Sequence, residues 1–225
     1  AMRNVAAVGA TPHALSDCLC FGNPEKPHQM WEFVEAVRGV SDACKGVKLK
    51  EHPESPTPII AGNVSFYNES KSNSIPPSPI ISCLGKMDNV GRAITMSFKK
   101  IKSKIFMIGK RKDELGGSLY YNLFGELGAN VPNPDLNEVK NQIYAITDCI
   151  DNKLIKSCHD ISDGGIAVTL SEMTFENNIG CSVIIPGTLS VEKLLFSETG
   201  GFIIEVEDSE TENVNEIFNN HNINL

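Results

Sequence analysis

No stretch of this sequence approaches the roughly 20 consecutive apolar residues that a membrane-spanning helix requires. No charged-then-apolar leader opens it. A membrane partner is therefore not expected. A basic excess is missing too: 20 Lys and Arg stand against 28 Asp and Glu, a net charge of −8, which removes nucleic acid as a default partner. Small anions stay open, because backbone N–H groups can cradle a phosphate on an acidic protein. There is no C-x-x-C pair. The seven cysteines are odd in number and scattered, and only Cys18 and Cys20 are close. Strand neighbours at i and i+2 point the same way, which admits a metal there, but no second pair completes four ligands. Reduced, structural thiols in a cytoplasmic protein are the expectation. No short repeat is present.

What is present suits one large domain or two small ones. The 225 residues are 41% hydrophobic and 21% charged, ordinary for a globular protein with a real core. The start, "AMRNVAAVG", and the tail, "NNHNINL", both read as cut, so a piece of a longer chain is expected.

Apolar runs predict strands over Val5–Val8, Ala14–Leu19, Ile59–Phe66, Ile80–Leu84, Ala93–Phe98, Ile105–Gly109, Cys181–Ile185 and Phe202–Val206. Three-and-four spacing predicts helices over His28–Lys45, Leu119–Leu127, a stripe from Leu136 to Ile150, Ile166–Asn177 and Asn213–Phe218. Trp31 is expected in the core. The basic run "KKIKSK" marks a domain boundary, giving domains 1–98 and 99–225. Strands and helices mix without strict alternation, so the expected class is α+β.

Three stretches carry candidate chemistry. In "DCLCFGNPEKP", Asp17 either bounds a strand end or presents a carboxylate to a nucleotide, since ligand sites collect at strand ends in open sheets. In "AGNVSFYNE", Gly62 permits close approach of a backbone or ligand. Asn63 offers a hard oxygen suited to Mg²⁺, and Ser65, two residues on, shares its face; a β-bulge with polar edge residues is the alternative. In "HDISDGG", Ser162 or Asp163 can cap the following helix. Gly164 and Gly165 leave first-turn amides open to an anion, and Asp160 could hold a metal there; a well-capped helix start explains the same residues. His159 is a possible general base or a structural histidine. "ELGGS" and "FSETGG" are further Gly pairs, each weak alone.

These five stretches, in their order along the chain, resemble the phosphoribosylformylglycinamidine synthase family of the aminoimidazole ribonucleotide synthetase superfamily, over nearly the whole chain. The resemblance implies the second of two α+β copies: a truncated ferredoxin-like N-terminal-type domain followed by an α/β C-terminal-type domain. It implies a fragment of an ATP- and Mg²⁺-dependent amidoligase of purine biosynthesis, which converts formylglycinamide ribonucleotide to its amidine with ammonia from glutamine. By the same resemblance, Asp17 and Gly62 contact ATP, Asn63 ligates magnesium and Ser65 contacts substrate, so Asp17 and Asn63 would face one triphosphate. Asn4, Asp160 and Ser162 match an auxiliary nucleotide and metal site. The implied partners are the missing first half of the chain, a glutaminase subunit and a small accessory subunit, and the fragment is expected to self-associate. The family's catalytic histidines lie in the absent copy, so no catalytic residue is assigned. Two departures stand out: Cys20 replaces the usual asparagine, and Lys48–Pro56 reads as an insertion. A superfamily kinase and a non-catalytic scaffold half are the competing readings.

Overall fold

The computed structural model describes residues 1–70 and 73–225. They divide into two compact units, one of Ala1–Val5 with Thr11–Lys86, the other of Ala6–Ala10 with Met87–Leu225. The chain opens with helix α1 (Met2–Ala7), where the apolar run predicts a strand. A run this short does not discriminate the two by period. Ala6 and Ala7 are good helix formers, and Gly9, at φ +96°, stops the helix. A Cβ on Gly9 would also lie 2.6 Å from Ile150 Cγ2.

In the first unit, β1 (Thr11–Cys20), α2 (Pro27–Gly46) and β2 (Ile59–Ser65) form a strand–helix–strand crossover. The helix starts on Pro27, whose fixed φ suits a first turn. Two short strands follow, β3 (Glu69–Ser70) and β4 (Asn73–Ser74), paired antiparallel; they lie where the Ser-, Asn- and Pro-rich run from Tyr67 to Pro79 reads as a loop, of which residues 71 and 72 are outside the described ones. Then β5 (Ser78–Lys86) runs antiparallel to β1. The sheet order is β2-β1-β5, with β1 and β2 parallel. Leu15 and Leu19 are buried, on the same face as Asp17. A three-stranded sheet is too narrow to cover all of α2: Trp31, expected in the core, is 65% exposed, and Met30, Val34 and Val37 are partly exposed as well. Phe33 does pack, edge-on against both Phe21 and Phe66.

The second unit contains β6 (Lys104–Ile108), α3 (Leu119–Asn122), α4 (Leu136–Asp151), β7 (Ile155–Asp160), α5 (Gly165–Met173), α6 (Val191–Phe196), β8 (Phe202–Val206) and α7 (Thr211–Asn220). Its sheet is antiparallel in the order β6-β8-β7. Every residue of the central strand β8 is buried. One face meets a core of Phe98, Ile161, Ile166, Leu170, Met173 and Ile203. Burying each such side chain contributes about 1.5–3 kcal/mol. On α4 the predicted stripe is buried at Ile143, Ile146 and Ile150. The strand expected at Ala93–Phe98 is irregular: its donors go elsewhere, Phe98 N–H to Met173 O at 2.9 Å and Ser97 Oγ to Glu176 at 2.7 Å. Cys181–Ile185 has strand propensity but no paired strand among the described residues, and Ile184 is 95% exposed. Two elements had no clear periodic signal, β7, whose run mixes Lys156, Ser157 and His159, and the six-residue α6.

The second unit turns on a carboxylate inside the sheet. Glu205 is fully buried in β8 and accepts from the Lys99 and Lys100 backbone amides, each at 2.8 Å, and from Ser157 Oγ at 2.9 Å. It therefore pins the chain leading into β6 and the neighbouring strand β7 at one point. Removing an acceptor shared by three buried or half-buried donors leaves them without a partner. Glu205→Ala is expected to cost about 3 kcal/mol, with Glu205→Gln intermediate, measured by urea unfolding. A loss below about 1 kcal/mol would show that the three donors find water or other acceptors.

Candidate functional site

The two motif-bearing turns after β1 and β2 are bonded to each other. Phe21 N–H donates to Ser65 O at 2.9 Å and Tyr67 N–H to Gly22 O at 2.9 Å. The Asn68 amide reaches Phe21 O at 2.9 Å and Ser65 O at 3.0 Å. Lys26 pairs with Glu69 at 2.5 Å, and Tyr67 OH meets Glu25 at 3.2 Å. Gln29 donates to Ser74 Oγ across the same junction. "FGNPEKP" and "SFYNE" are thus two halves of one rigid corner at the C-terminal ends of parallel strands, where open sheets place ligands.

Register decides what each candidate faces. Asp17 stands opposite Gly62, Cys18 opposite Asn63 and Cys20 opposite Ser65. Registered partners share a face and successive residues alternate. Asp17 and Gly62 therefore lie on the α2 side, and Asn63 and Ser65 on the other. Asn63 Nδ2 lies 3.7 Å from Cys18 Sγ, which fits this assignment. Asn63 and Ser65 do share a face as their spacing predicts. Asp17 and Asn63 do not: the two side chains expected to face one triphosphate leave opposite faces of the sheet.

On the α2 side, Gly62 makes room for the acid: a Cβ there would lie 2.6 Å from Asp17 Oδ1. Asp17 borders a cavity of about 340 Å³ walled by Val37, Val40, Cys44 and Ile59. Burial and then the nearby Asp17 charge push the Cys44 thiol above its ordinary pKa. On the opposite face Asn63, Ala61, Ile80, Ser82 and Leu84 are exposed. The Cys18 and Cys20 sulfurs are 3.7 Å apart, and the hydrogen bond with Cys18 raises the Cys20 pKa.

In the second unit the anion position expected at "HDISDGG" is filled by the protein itself. The helix N-cap is Gly164, at φ +74°, with no side-chain cap from Ser162 or Asp163. Instead Glu198 Oε1 accepts from Gly164 N–H at 2.8 Å and from Leu119 N–H at 2.9 Å. One carboxylate, favoured by both helix N-termini, joins the "ELGGS", "SDGG" and "FSETGG" stretches. Tyr120 stacks on Phe196 with centroids 4.6 Å apart. Arg111 donates to the carbonyls of Ser197, Thr199 and Gly200, holding the Glu198 loop. Residue spacing offered no sign of this convergence, because it depends on three segments far apart in sequence.

Asp160 ends β7 and is buried, Ser162 is exposed, and Asn4 is exposed on α1 in the first unit. His159 is held between two acids, Nε2 to Glu172 at 2.8 Å and Nδ1 to Asp160 at 3.5 Å. The Asp160 hydrogen bond, with Glu172 adding to it, raises the His159 pKa against the opposing effect of burial. A histidine clamped in this way is a structural crosslink rather than a free base. Among the described residues no group of three or more His, Cys, Asp and Glu could hold a metal ion, and no helix is long and apolar enough to cross a membrane.

If Glu198 is the shared cap, Glu198→Ala should lower stability by about 1–2 kcal/mol, the range of a lost N-cap. Hydrogen exchange should quicken at the first turns of α3 and α5 together. Faster exchange at one helix only would refute the shared role.

Known proteins give this geometry a context. The profile of the AIR synthase related protein N-terminal domain matches residues 1–87, and that of the C-terminal domain matches residues 102–225. The phosphoribosylformylglycinamidine synthase subunit PurL of Methanothrix thermoacetophila is 48% identical over 227 residues, covering 100% of this chain and 30% of that protein. The same subunit of Thermococcus sibiricus is 40% identical, covering 96% of this chain and 30% of the relative. The chain thus spans about a third of the length of these relatives. Among solved structures, T. maritima PurL complexed with FGAR superposes with TM-score 0.73 at 16% identity, over 99% of this chain and 36% of that one. A HypE–HypF complex gives 0.63 at 17% identity, over 96% and 69%. With both domain profiles matched in order, the chain belongs to the AIR synthase related family.

Proposed function

We propose that this chain is the second-copy part of a phosphoribosylformylglycinamidine synthase, contributing nucleotide, metal and substrate contacts to a composite site. Residues 1–98 form its N-terminal-type domain and residues 99–225 its C-terminal-type domain. The reaction is ATP-dependent conversion of formylglycinamide ribonucleotide and ammonia to the amidine, with ammonia supplied by a glutaminase subunit and with a small accessory subunit in the assembly. The observation that carries the reading is the locked corner between the two motifs, in a chain 48% identical along its whole length to a PurL subunit. The chemistry of the donors fits: Asn63 supplies a hard oxygen of the kind Mg²⁺ prefers, and Ser65 beside it a hydroxyl for substrate. Asp17 and Gly62 contact ATP from the α2 side. β2 is the outer strand of its sheet and exposed along most of its length, so a nucleotide lying across that edge reaches both faces. Bound magnesium would offset phosphate charge during phosphoryl transfer, and this chain's residues position the reactants.

No residue here serves as general acid or base, so the chain alone should form no amidine from formylglycinamide ribonucleotide, ATP and ammonia; measurable turnover would overturn the composite site. Weak Mg·ATP binding should fall at least tenfold in Asn63→Ala by calorimetry. Equal affinity in the variant would remove Asn63 from the metal role while leaving the ligase assignment in place.

The exposed apolar face of the first sheet, with Ile80 and Leu84 each 58% exposed, also supports a scaffold role in which this unit docks the rest of the enzyme. By itself the chain should then self-associate through that face and the β2 edge. Sedimentation of a strict monomer at high concentration would count against this, and Leu84→Lys should reduce the association.

A further inference from the structure

The departure at Cys20 places a second sulfur beside Cys18 on the uncovered face of the first sheet. We propose that Cys18 and Cys20 form a two-thiolate clip for a thiophilic d¹⁰ divalent cation of the zinc and cadmium type. Both side chains leave β1 on the same side, and their sulfurs lie 3.7 Å apart. A tetrahedral ion at about 2.3 Å from each of two sulfurs needs them about 3.8 Å apart. The clip therefore has the required bite without moving the backbone.

The rival fate of two nearby thiols is a disulfide, and the strand opposes it. Alternate residues of an extended strand have Cα atoms about 6.6 Å apart with roughly parallel side chains. A disulfide needs Cβ atoms about 3.5–4.5 Å apart. Closing one would break the extended backbone of β1, which is hydrogen-bonded to β2 and β5 on both sides. An inserted ion spans the gap that a direct S–S bond cannot.

Access and remaining donors fit the same reading. Both cysteines are only partly buried. Across the strand pair stand Asn63 opposite Cys18 and Ser65 opposite Cys20, and water completes the shell. Among the described residues no third thiol, imidazole or carboxylate joins, so the clip has the affinity of two thiolates, not of a structural four-ligand site. Metal binding releases the two thiol protons to solvent, and no electron changes hands. The inference rests on sulfur geometry and stands independently of the ligase reading.

The test is titration of the reduced full chain with Cd²⁺, following the thiolate-to-cadmium ultraviolet charge-transfer band. The band is expected to saturate at one ion per chain. Cys18→Ser and Cys20→Ser should each weaken binding at least tenfold, while a Cys83→Ser, Cys181→Ser variant keeps it. Circular dichroism confirms that each variant is folded. A measurement needing no variant is zinc-edge X-ray absorption of the loaded chain, with two sulfur neighbours expected at about 2.3 Å. No saturable band, a band that survives both serine substitutions, or a shell of nitrogen and oxygen only would each overturn the clip.

Discussion

The register between β1 and β2 is the constraint on which the first unit depends. Asp17 opposite Gly62 and Cys18 opposite Asn63 sort four candidate residues into two pairs on opposite faces. Because side chains alternate with a period of two, a slip of one residue would exchange the pairs. It would also put Leu15 and Leu19, both buried, on the uncovered face. Burial of those leucines therefore fixes the register, and the register fixes which polar groups meet. Gly62 leaves room for the Asp17 carboxylate where it lies, since a Cβ there would come within 2.6 Å of its Oδ1. The bonded corner of Phe21, Gly22, Ser65 and Asn68 closes the strand ends over the same register.

The second unit solves a different problem with the same kind of group. Chain segments that enter or leave a sheet carry backbone amides that need acceptors once buried. Here two carboxylates supply them, Glu205 for the lead-in to β6 and Glu198 for the starts of α3 and α5. A carboxyl group has two acceptor oxygens, and a single side chain reaches segments that no regular ladder could join. The glycines of "SDGG" and "FSETGG" belong to this packing. A Cβ on Gly165 would lie 2.6 Å from the Leu195 carbonyl, so this glycine admits α6 rather than opening a vacant cradle.

What was legible in the sequence follows from these two mechanisms. Long elements with a strong period, α2 and α4, and the apolar strand β8 could be read directly, and on α4 and β8 local pattern and burial agree. Asn63 and Ser65 were correctly placed on one face, since two-residue spacing in a strand is a local property. The relation of Asp17 to Asn63 was not legible, as it depends on the register between strands almost fifty residues apart. The role of Glu198 was hidden for the same reason. The run at Val5–Val8 misled because four apolar residues carry no period, and the run at Cys181–Ile185 because propensity forms a strand only where a neighbouring edge accepts it. Trp31 was misplaced because helix periodicity identifies an apolar stripe but not the width of the surface that covers it.

That last point bears on how the first unit works. Its sheet has three strands, with β2 at one edge, and one face is covered by α2 while the other carries Ala61, Ile80 and Leu84 in the open. Exposed edges and apolar faces of this kind are normally blunted by charge or covered. Here the exposed surface also holds Asn63 and the half-buried Cys18 and Cys20. A partner that covered the apolar residues would exclude water from these donors as well, strengthening any charge interaction made there. On the reading proposed above, docking and ligand chemistry would be coupled by geometry: a partner buried against this surface would cover its apolar residues and its polar donors together. A composite site needs that coupling, since polar groups that remain fully hydrated in the separate parts acquire their full electrostatic strength only in the assembled one.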